Sequence, residues 1–387
     1  MQYEPLEKVR KELKVRWLRP KIDPNVLREL NKRSDVQGWI QAGGHLGLWI
    51  ITGALTYYFW SQSMWITMLV ALFCHGTVAS FFTGIAPHEL GHGTVFKTKS
   101  LNQMFLYIYS CLGWWDLFDY AASHTYHHRY TLHPAGDREN LLPLSPLVGR
   151  FFLLQLFTIN LMTQPGRTFS SGGLLSTIYL IFLNAQGRVG SLDIPSQEWR
   201  QALHEDQPEL HNSGIWWARF LLLFHGTVIL ASLLSGYWIF AFIISFSPFI
   251  ANWCIYALGM TQHCGLKEND NDFRKATRSV RANPLFEFLY WRMNWHTEHH
   301  MFAGVPCYNL KPLYHEIADQ MPEPRTLWGA WQEMRETWFR QQADPDYYFD
   351  TPVPPIATST RARTNDDAVG NGLESSIGDL APKGLQL

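Results

Sequence analysis

The chain has 387 residues and a formal net charge of -1, with 47% hydrophobic, 15% aromatic and 17% charged residues. Soluble globular chains carry about 25% charged residues, so this one is short of charge, and its 17 tryptophans suit membrane–water interfaces. Size and composition exclude a disordered chain or a secreted mini-fold. The balanced charge gives no reason to expect nucleic acid as a partner. Five cysteines with no CxxC pair exclude a disulfide framework and a cysteine-ligated zinc ribbon.

Residues 1–42 carry ten Lys and Arg, namely Lys8, Arg10, Lys11, Lys14, Arg16, Arg19, Lys21, Arg28, Lys32 and Arg33. Residues 36–88 then contain no Lys, Arg, Asp or Glu, and residues 220–266 repeat the pattern. A helix needs roughly 20 apolar residues to cross a bilayer, so each run predicts a hairpin of two crossings. The first pairs 43–60 with 64–86 around Ser61-Gln62-Ser63; the second pairs 215–234 with 237–259 around Ser235-Gly236.

Both turns lack basic residues, while Lys97, Lys99, Lys267, Arg274, Lys275, Arg278 and Arg281 follow the hairpins. Positive residues stay cytosolic, so both termini and the segment 87–214 are expected on the cytosolic side. No short basic region and cleavage site precede the first apolar run, so no cleaved signal is expected. The reading is an all-α integral membrane protein with hairpins at 43–86 and 215–259. A cytosolic N-terminal segment spans 1–42, and the membrane domain 43–344 includes a cap from 87–214 and 260–344.

Within the cap, 101–118, 151–163 and 172–184 are apolar but short, which predicts interfacial or re-entrant helices. Leu327, Trp331, Met334 and Trp338 fall at helical spacing and are expected on the bilayer surface. From 345 to 387, Pro, Gly, Ser, Thr, Asn and Asp predict a disordered tail.

The sixteen histidines are grouped. His88 and His92 form HxxxH, while His124, His127 and His128, and again His296, His299 and His300, form HxxHH. Spacings of three and four place imidazoles on one helix face, so each group can offer several nitrogens to one point. With His263 at the end of the second hairpin, nine imidazoles have a route to one site. One zinc uses three or four protein ligands, so nine suit two ions. Imidazole serves Fe, Zn, Cu and Ni alike, so donor type leaves the metal open.

His88-Glu89-x-x-His92 also fits a zinc hydrolase in which Glu89 is the general base, which keeps a membrane zinc metalloprotease as a rival reading. That rival leaves seven grouped histidines unexplained, and 220–266 offers no acidic further ligand. Glu89, Asn294 and Glu298 stand beside the grouped histidines, and Asp137, Arg138 and Glu139 follow the second group. Glu89, Asp137, Asn294 and Glu298 are the candidates for accepting the second imidazole N–H of a ligand. His45, His75 and His225 lie within predicted crossings and read as hydrogen-bonded structural residues; His133 precedes a proline and reads as a support or surface residue. Trp114, Trp115, Phe118 and Tyr120 read as packing or interfacial anchors, with a substrate channel as the alternative.

HELGH, HTYHH and HTEHH, in this order around two apolar hairpins, resemble the three histidine boxes of the membrane fatty-acid desaturase superfamily. The resemblance spans about 43–316, and Phe302, Pro306, Tyr308 and Leu310 are similar to the family's continuation of the third box. It implies four crossings and a cytosolic cap in which His88, His92, His124, His127, His128, His263, His296, His299 and His300 hold two iron ions. O2 is the implied co-substrate, and a lipid or acyl chain the implied substrate of desaturation, with hydroxylation or ketolation as the alternatives. At Gly259 the acyl-CoA branch carries an asparagine that supports one iron through water, so that contact is not carried over. The short first box is closer to acyl-lipid and methyl-end groups. His133-Pro-Ala-Gly136 is similar to the haem motif of a fused cytochrome b5 but has no room for that domain. The electron donor is therefore expected to be a separate ferredoxin or cytochrome b5 with its reductase. The implied location is multi-pass, in the endoplasmic reticulum of a eukaryote or the inner membrane of a bacterium.

Overall fold

The computed structural model describes residues 4–140, 146–162, 172–190 and 194–356. Helices dominate, and the one sheet among the described residues is a parallel pair, Val280–Arg281 with Arg325–Thr326. The first hairpin forms close to its expected bounds, as Gly44–Ser61 and Trp65–Ser80, with Ser63 at φ 56 in the turn. After a turn at 81–84, Ile85–Gly91 prolongs the second arm, so that Trp65–Gly91 reads as one long apolar unit.

The second hairpin departs from expectation. Its first arm is a continuous helix, Pro208–Leu234, but 237–259 is not one helix. A π-helical segment Ala241–Phe246 leads into a 3-10 turn Ser247–Phe249, and the α-helix resumes only at Trp253–Gly259. Pro248 lacks the N–H that would continue the helical ladder. The freed backbone pairs with the cap instead: Asn160 N donates to Phe249 O at 2.8 Å and Ala251 N to Thr158 O at 2.9 Å. Buried irregular backbone needs partners for its polar groups, and residues 247–252 are all buried. Two helices, Trp65–Gly91 and Pro208–Leu234, are long and apolar enough to cross a membrane by length and composition.

Small residues let these elements touch. A Cβ on Gly76 would lie 2.5 Å from Ile250 O, and one on Gly53 3.1 Å from His75 Cε1. The three histidines within the hairpins are satisfied by hydrogen bonds, as expected. His45 contacts Val78 O at 3.1 Å, and Trp291 Nε1 donates to it at 2.9 Å. His75 joins Ile243 O at 2.9 Å and Thr52 Oγ1 at 2.8 Å. His225 joins Cys111 O at 2.9 Å and Ser245 Oγ at 3.0 Å, with Trp114 stacked 3.8 Å away on its face. We expect His225→Leu to lower stability by about 1–3 kcal/mol, because two buried polar partners lose their mate, while leaving metal content unchanged. Thermal unfolding in detergent beside metal analysis checks this.

The N-terminal segment is part of the folded cap rather than an appendage. Leu6, Val9, Val15 and Trp17 are buried in the main core with Phe96, Tyr126, Trp199, Met301 and Leu310. Leu18 forms a parallel bridge with Asp272, and Asn309 Nδ2 donates to Leu30 O at 2.7 Å. The cap helices Lys99–Leu112, Arg150–Phe157 and Leu174–Ala185 fall where short apolar segments were expected, the first of them ending before 118.

Two expectations at the C-terminal end change. Leu327–Gln341 is helical, but its apolar stripe turns inward: Met334 is buried, and Trp331 Nε1 donates to Ala257 O at 2.9 Å. Trp328 and Phe339 are the exposed large apolar residues of that helix. The tail orders further than expected, because Phe349 N donates to Gly265 O at 2.8 Å and Arg274 Nη1 to Pro354 O at 2.7 Å. Residues 357–387, the rest of that expected disorder, lie outside the described residues.

Candidate metal centre

The three histidine boxes converge on helices. His88 lies on Ile85–Gly91 with His92 just past its end, the second box is the last part of Leu117–Tyr130, and the third opens His296–Met301. Asp116 caps the second of these helices, its carboxylate accepting from Asp119 N at 3.2 Å. All nine expected histidines are buried.

They form two adjoining groups. His88, His92, His124, His128 and His299 bring one ring nitrogen each within 4.8 Å of one another, and His127, His263, His296 and His300 do the same. The groups touch where His128 stacks on His300, with ring centroids 4.5 Å apart.

Ring orientation fits cation binding. His263 Nδ1 donates to Ala276 O at 2.9 Å, His127 Nδ1 to Asp137 Oδ2 at 2.9 Å, and His88 Nδ1 to Glu89 Oε1 at 2.9 Å. His124 Nδ1 reaches Glu139 Oε1 at 3.2 Å. Thr131 Oγ1 gives its hydrogen to His127 O at 2.7 Å and so accepts from His300 Nδ1 at 3.1 Å. A proton held on Nδ1 leaves the lone pair on Nε2.

Within each group, Nε2 atoms face one another. The pairs His92–His124, His128–His299, His263–His296 and His296–His300 lie 3.3, 3.2, 2.9 and 3.1 Å apart. Two imidazoles bound at about 2.1 Å to one cation, at right to tetrahedral angles, stand about 3.0–3.4 Å apart. His88 Nε2 is buried with no hydrogen-bond partner. Opposed lone pairs repel unless a cation lies between them, so the residues present fit a metal pair.

Electrostatics agree. Burial holds the imidazoles of His124, His128, His296, His299 and His300 well below their usual pKa, so they are neutral donors. For His127 burial acts in the same sense, but the Asp137 and Glu139 carboxylates outweigh it and raise the pKa. Burial pushes Glu139 up to about 7 and Glu298 up to about 7.

The support residues divide. Glu89 and Asp137 contact imidazoles as anticipated, and Glu89 Oε1 also lies 3.5 Å from His299 Nδ1. Asn294 and Glu298 instead hold the segment 279–280. Asn294 Nδ2 donates to Val280 O at 2.9 Å, and Glu298 accepts from Ser279 Oγ at 2.6 Å. Arg138 turns away, donating to Pro134 O at 3.0 Å. His133 binds the backbone of Tyr130 and Thr131 and stays outside both groups.

Sequence reading missed Thr131 and the Ala276 carbonyl, which no spacing rule marks. It also missed a third cluster of Asp119, His204 and His211. There the two imidazoles stack at 3.6 Å and 21°, so their in-plane lone pairs run side by side instead of converging.

Beside the first group lies a small cavity lined by Pro87, His88, His92, Leu106, Trp115, Leu117, Tyr120 and His124. Of the aromatic run, Trp115 and Tyr120 line it, whereas Phe118 is core and Trp114 packs on His225. Gly84, at φ +113, lets the Trp115 ring close in; a Cβ there would stand 3.0 Å from it.

Nine neutral or carboxylate-supported imidazoles in two adjoining groups are the donor set of a metalloprotein. The chain belongs to the fatty acid desaturase family, whose model matches residues 60–331, and is thereby an oxidoreductase of lipid metabolism. No curated protein matches the chain.

Proposed function

We propose that this protein is a multi-pass membrane enzyme that uses O2 and two iron ions to introduce a double bond into a lipid acyl chain. The observation that carries the reading is the pair of adjoining imidazole groups whose Nε2 atoms oppose one another at 2.9–3.3 Å. Histidines 88, 92, 124, 128 and 299 would hold one iron, and histidines 127, 263, 296 and 300 the other. Bound iron with O2 supplies the oxidising power that no side chain has for an unactivated C–H bond.

The chain's own residues do the rest. Glu89, Asp137, Glu139, Thr131 and the Ala276 carbonyl fix the tautomers of His88, His127, His124, His300 and His263, so five of the nine lone pairs are aimed before any cation arrives. The buried cap keeps water away from the reacting carbon. The cavity walls of Leu106, Trp115 and Leu117 give an apolar chain a place beside His88, His92 and His124. Outward-facing Ile51, Ile66, Leu69, Leu223 and Leu234 on the long helices support four crossings, the last one broken, with both termini cytosolic.

The zinc hydrolase reading is weaker. Its general base would be Glu89, but that carboxylate is held between the Nδ1 atoms of His88 and His299.

The test is lipid profiling by mass spectrometry of cells expressing the protein, with and without O2. A new acyl species two mass units lighter is expected. A species sixteen units heavier would reassign the site to hydroxylation, and cleaved membrane peptides with one zinc per chain would favour the hydrolase.

A further inference from the structure

The oxidase reading leaves a deficit of electrons. Forming a C=C bond removes two hydrogens from the acyl chain, and reducing O2 to two waters takes four electrons and four protons. The two C–H bonds furnish half. Two more electrons and two protons must come from outside, through the protein.

The ring contacts leaving the two imidazole groups run in different directions. Tyr120 stacks on His124 at 4.9 Å, but it leads on to Trp115 and the cavity wall, where an acyl chain would lie. On the other group, Phe273 packs 5.7 Å from His300, and Trp17 stacks on Phe273 at 3.9 Å with the planes only 10° apart. Trp17 is held by its Nε1, which donates to Arg129 O at 3.0 Å. The next residue, Leu18, is 45% exposed. Two buried aromatic rings thus lead from the residue beside exposed Leu18 to a ligand-position imidazole.

The surface at that point is basic in a particular way. Upstream, Lys8, Arg10 and Lys11 are paired with Glu4, Asp206 and Glu7. From 14 to 21 the chain reads Lys-Val-Arg-Trp-Leu-Arg-Pro-Lys, with no acid. Lys14, Arg16 and Lys21 are exposed there and form no ion pair among the described residues. Of the neighbouring acids, Asp270 is paired with Lys267 at 2.9 Å, Asp272 with Arg274 at 2.6 Å and Glu12 with Lys8 at 3.9 Å, while Asp23 caps the helix Pro24–Leu30. Positive charge is left in excess beside this short aromatic path.

We propose that the face around Leu18, flanked by Lys14, Arg16 and Lys21, docks a small acidic one-electron carrier protein, and that Trp17 and Phe273 bridge it to His300. The inference rests on the oxidase reading above and names the partner surface of that site. The carrier docks twice per turnover and leaves oxidised by one electron each time. Trp17 and Phe273 act as packed matter that shortens the tunnelling gap, not as redox stations. Opposite charge speeds encounter and is screened by salt, so docking here depends on ionic strength.

The experiment uses the full iron-loaded chain in detergent, with reduced cytochrome b5 and reduced [2Fe–2S] ferredoxin as the two probes. Wild type should bind one of them at low salt, with an affinity that falls as salt is added. Lys14→Glu/Arg16→Glu/Lys21→Glu, all exposed, should raise Kd about tenfold at low salt, and the difference should vanish at high salt. Trp17→Leu should leave Kd unchanged but slow reoxidation of the bound carrier severalfold, with Trp17→Phe restoring the rate. Binding of neither probe, an unchanged Kd in the charge variant, or an unchanged rate in Trp17→Leu would overturn the proposal. Iron is counted in the same preparations. An iron-free wild type would overturn the oxidase reading and the docking face with it, whereas an iron-loaded protein indifferent to these substitutions overturns the docking face alone.

Discussion

His299→Ala should reduce bound iron from about two to about one per chain and lower lipid oxidation by more than about 100-fold, since even support residues of a metal site are worth 10–100-fold. His299 stands at a joint: its Nε2 is 3.2 Å from His128 Nε2, its Nδ1 is 3.5 Å from Glu89, and its ring is 4.7 Å from that of His88. Alanine removes a donor from the first group and also leaves the buried Glu89 carboxylate with one imidazole fewer. The surrounding Nε2 atoms then face a void where a cation bound by four nitrogens is held less firmly. His127→Ala should do the same to the second group, which starts with four donors and has less to spare. Metal analysis of detergent-purified protein, with carbonate extraction to check membrane insertion, reads both. Two irons and full oxidation in either variant would remove that residue from the site.

Asp137→Asn should weaken iron binding by about 10–100-fold while changing the shape of the site very little. The Asp137 carboxylate is fully buried and accepts three hydrogen bonds: from His127 Nδ1 at 2.9 Å, Leu132 N at 2.9 Å and Glu139 N at 2.9 Å. An amide has one accepting end, so at least one of these donors would meet an N–H instead. Unfolding stability should drop by about 1–3 kcal/mol from the unpaired donor. His127 also loses the charge that aligns it and raises its basicity. Competition with a chelator measures the affinity and thermal unfolding the stability; an affinity equal to wild type would show that Asp137 only closes the turn after the second box.

The regular parts of this fold were legible because period and charge report them. Two long uncharged runs marked both hairpins, and HxxxH and HxxHH spacing marked eight of the nine histidines in the two adjoining groups. What failed to show was set by contacts distant in sequence. The interruption at 247–252 depends on Thr158 and Asn160, some ninety residues earlier, offering the backbone partners it needs. The stripe of Leu327, Trp331 and Met334 is amphipathic either way; only the presence of Ala257 and Cys264 opposite decides that it packs on protein. Asn294 and Glu298 looked like imidazole partners from adjacency alone, yet Glu298 sits on a helix, where neighbouring positions point apart, Asn294 lies in the turn before that helix, and both reach toward 279–280. Thr131 and Ala276 were illegible for a simpler reason, since a hydroxyl and a backbone carbonyl are everywhere in a sequence.

The division of donors between distant parts of the chain also dictates an order of assembly. Four of the five histidines in the first group precede residue 129, but three of the four in the second group wait for residues 263 to 300. A ribosome that has completed only the first hairpin and the second box has therefore made most of one coordination shell and almost none of the other. The stitch between 158–160 and 249–251 likewise cannot close until the final apolar segment has been made. Non-local contacts of this span form late. The maturing protein thus passes through a stage in which the first imidazole group is nearly complete and the second is open, so under the two-ion reading a second ion would belong to the last act of biogenesis.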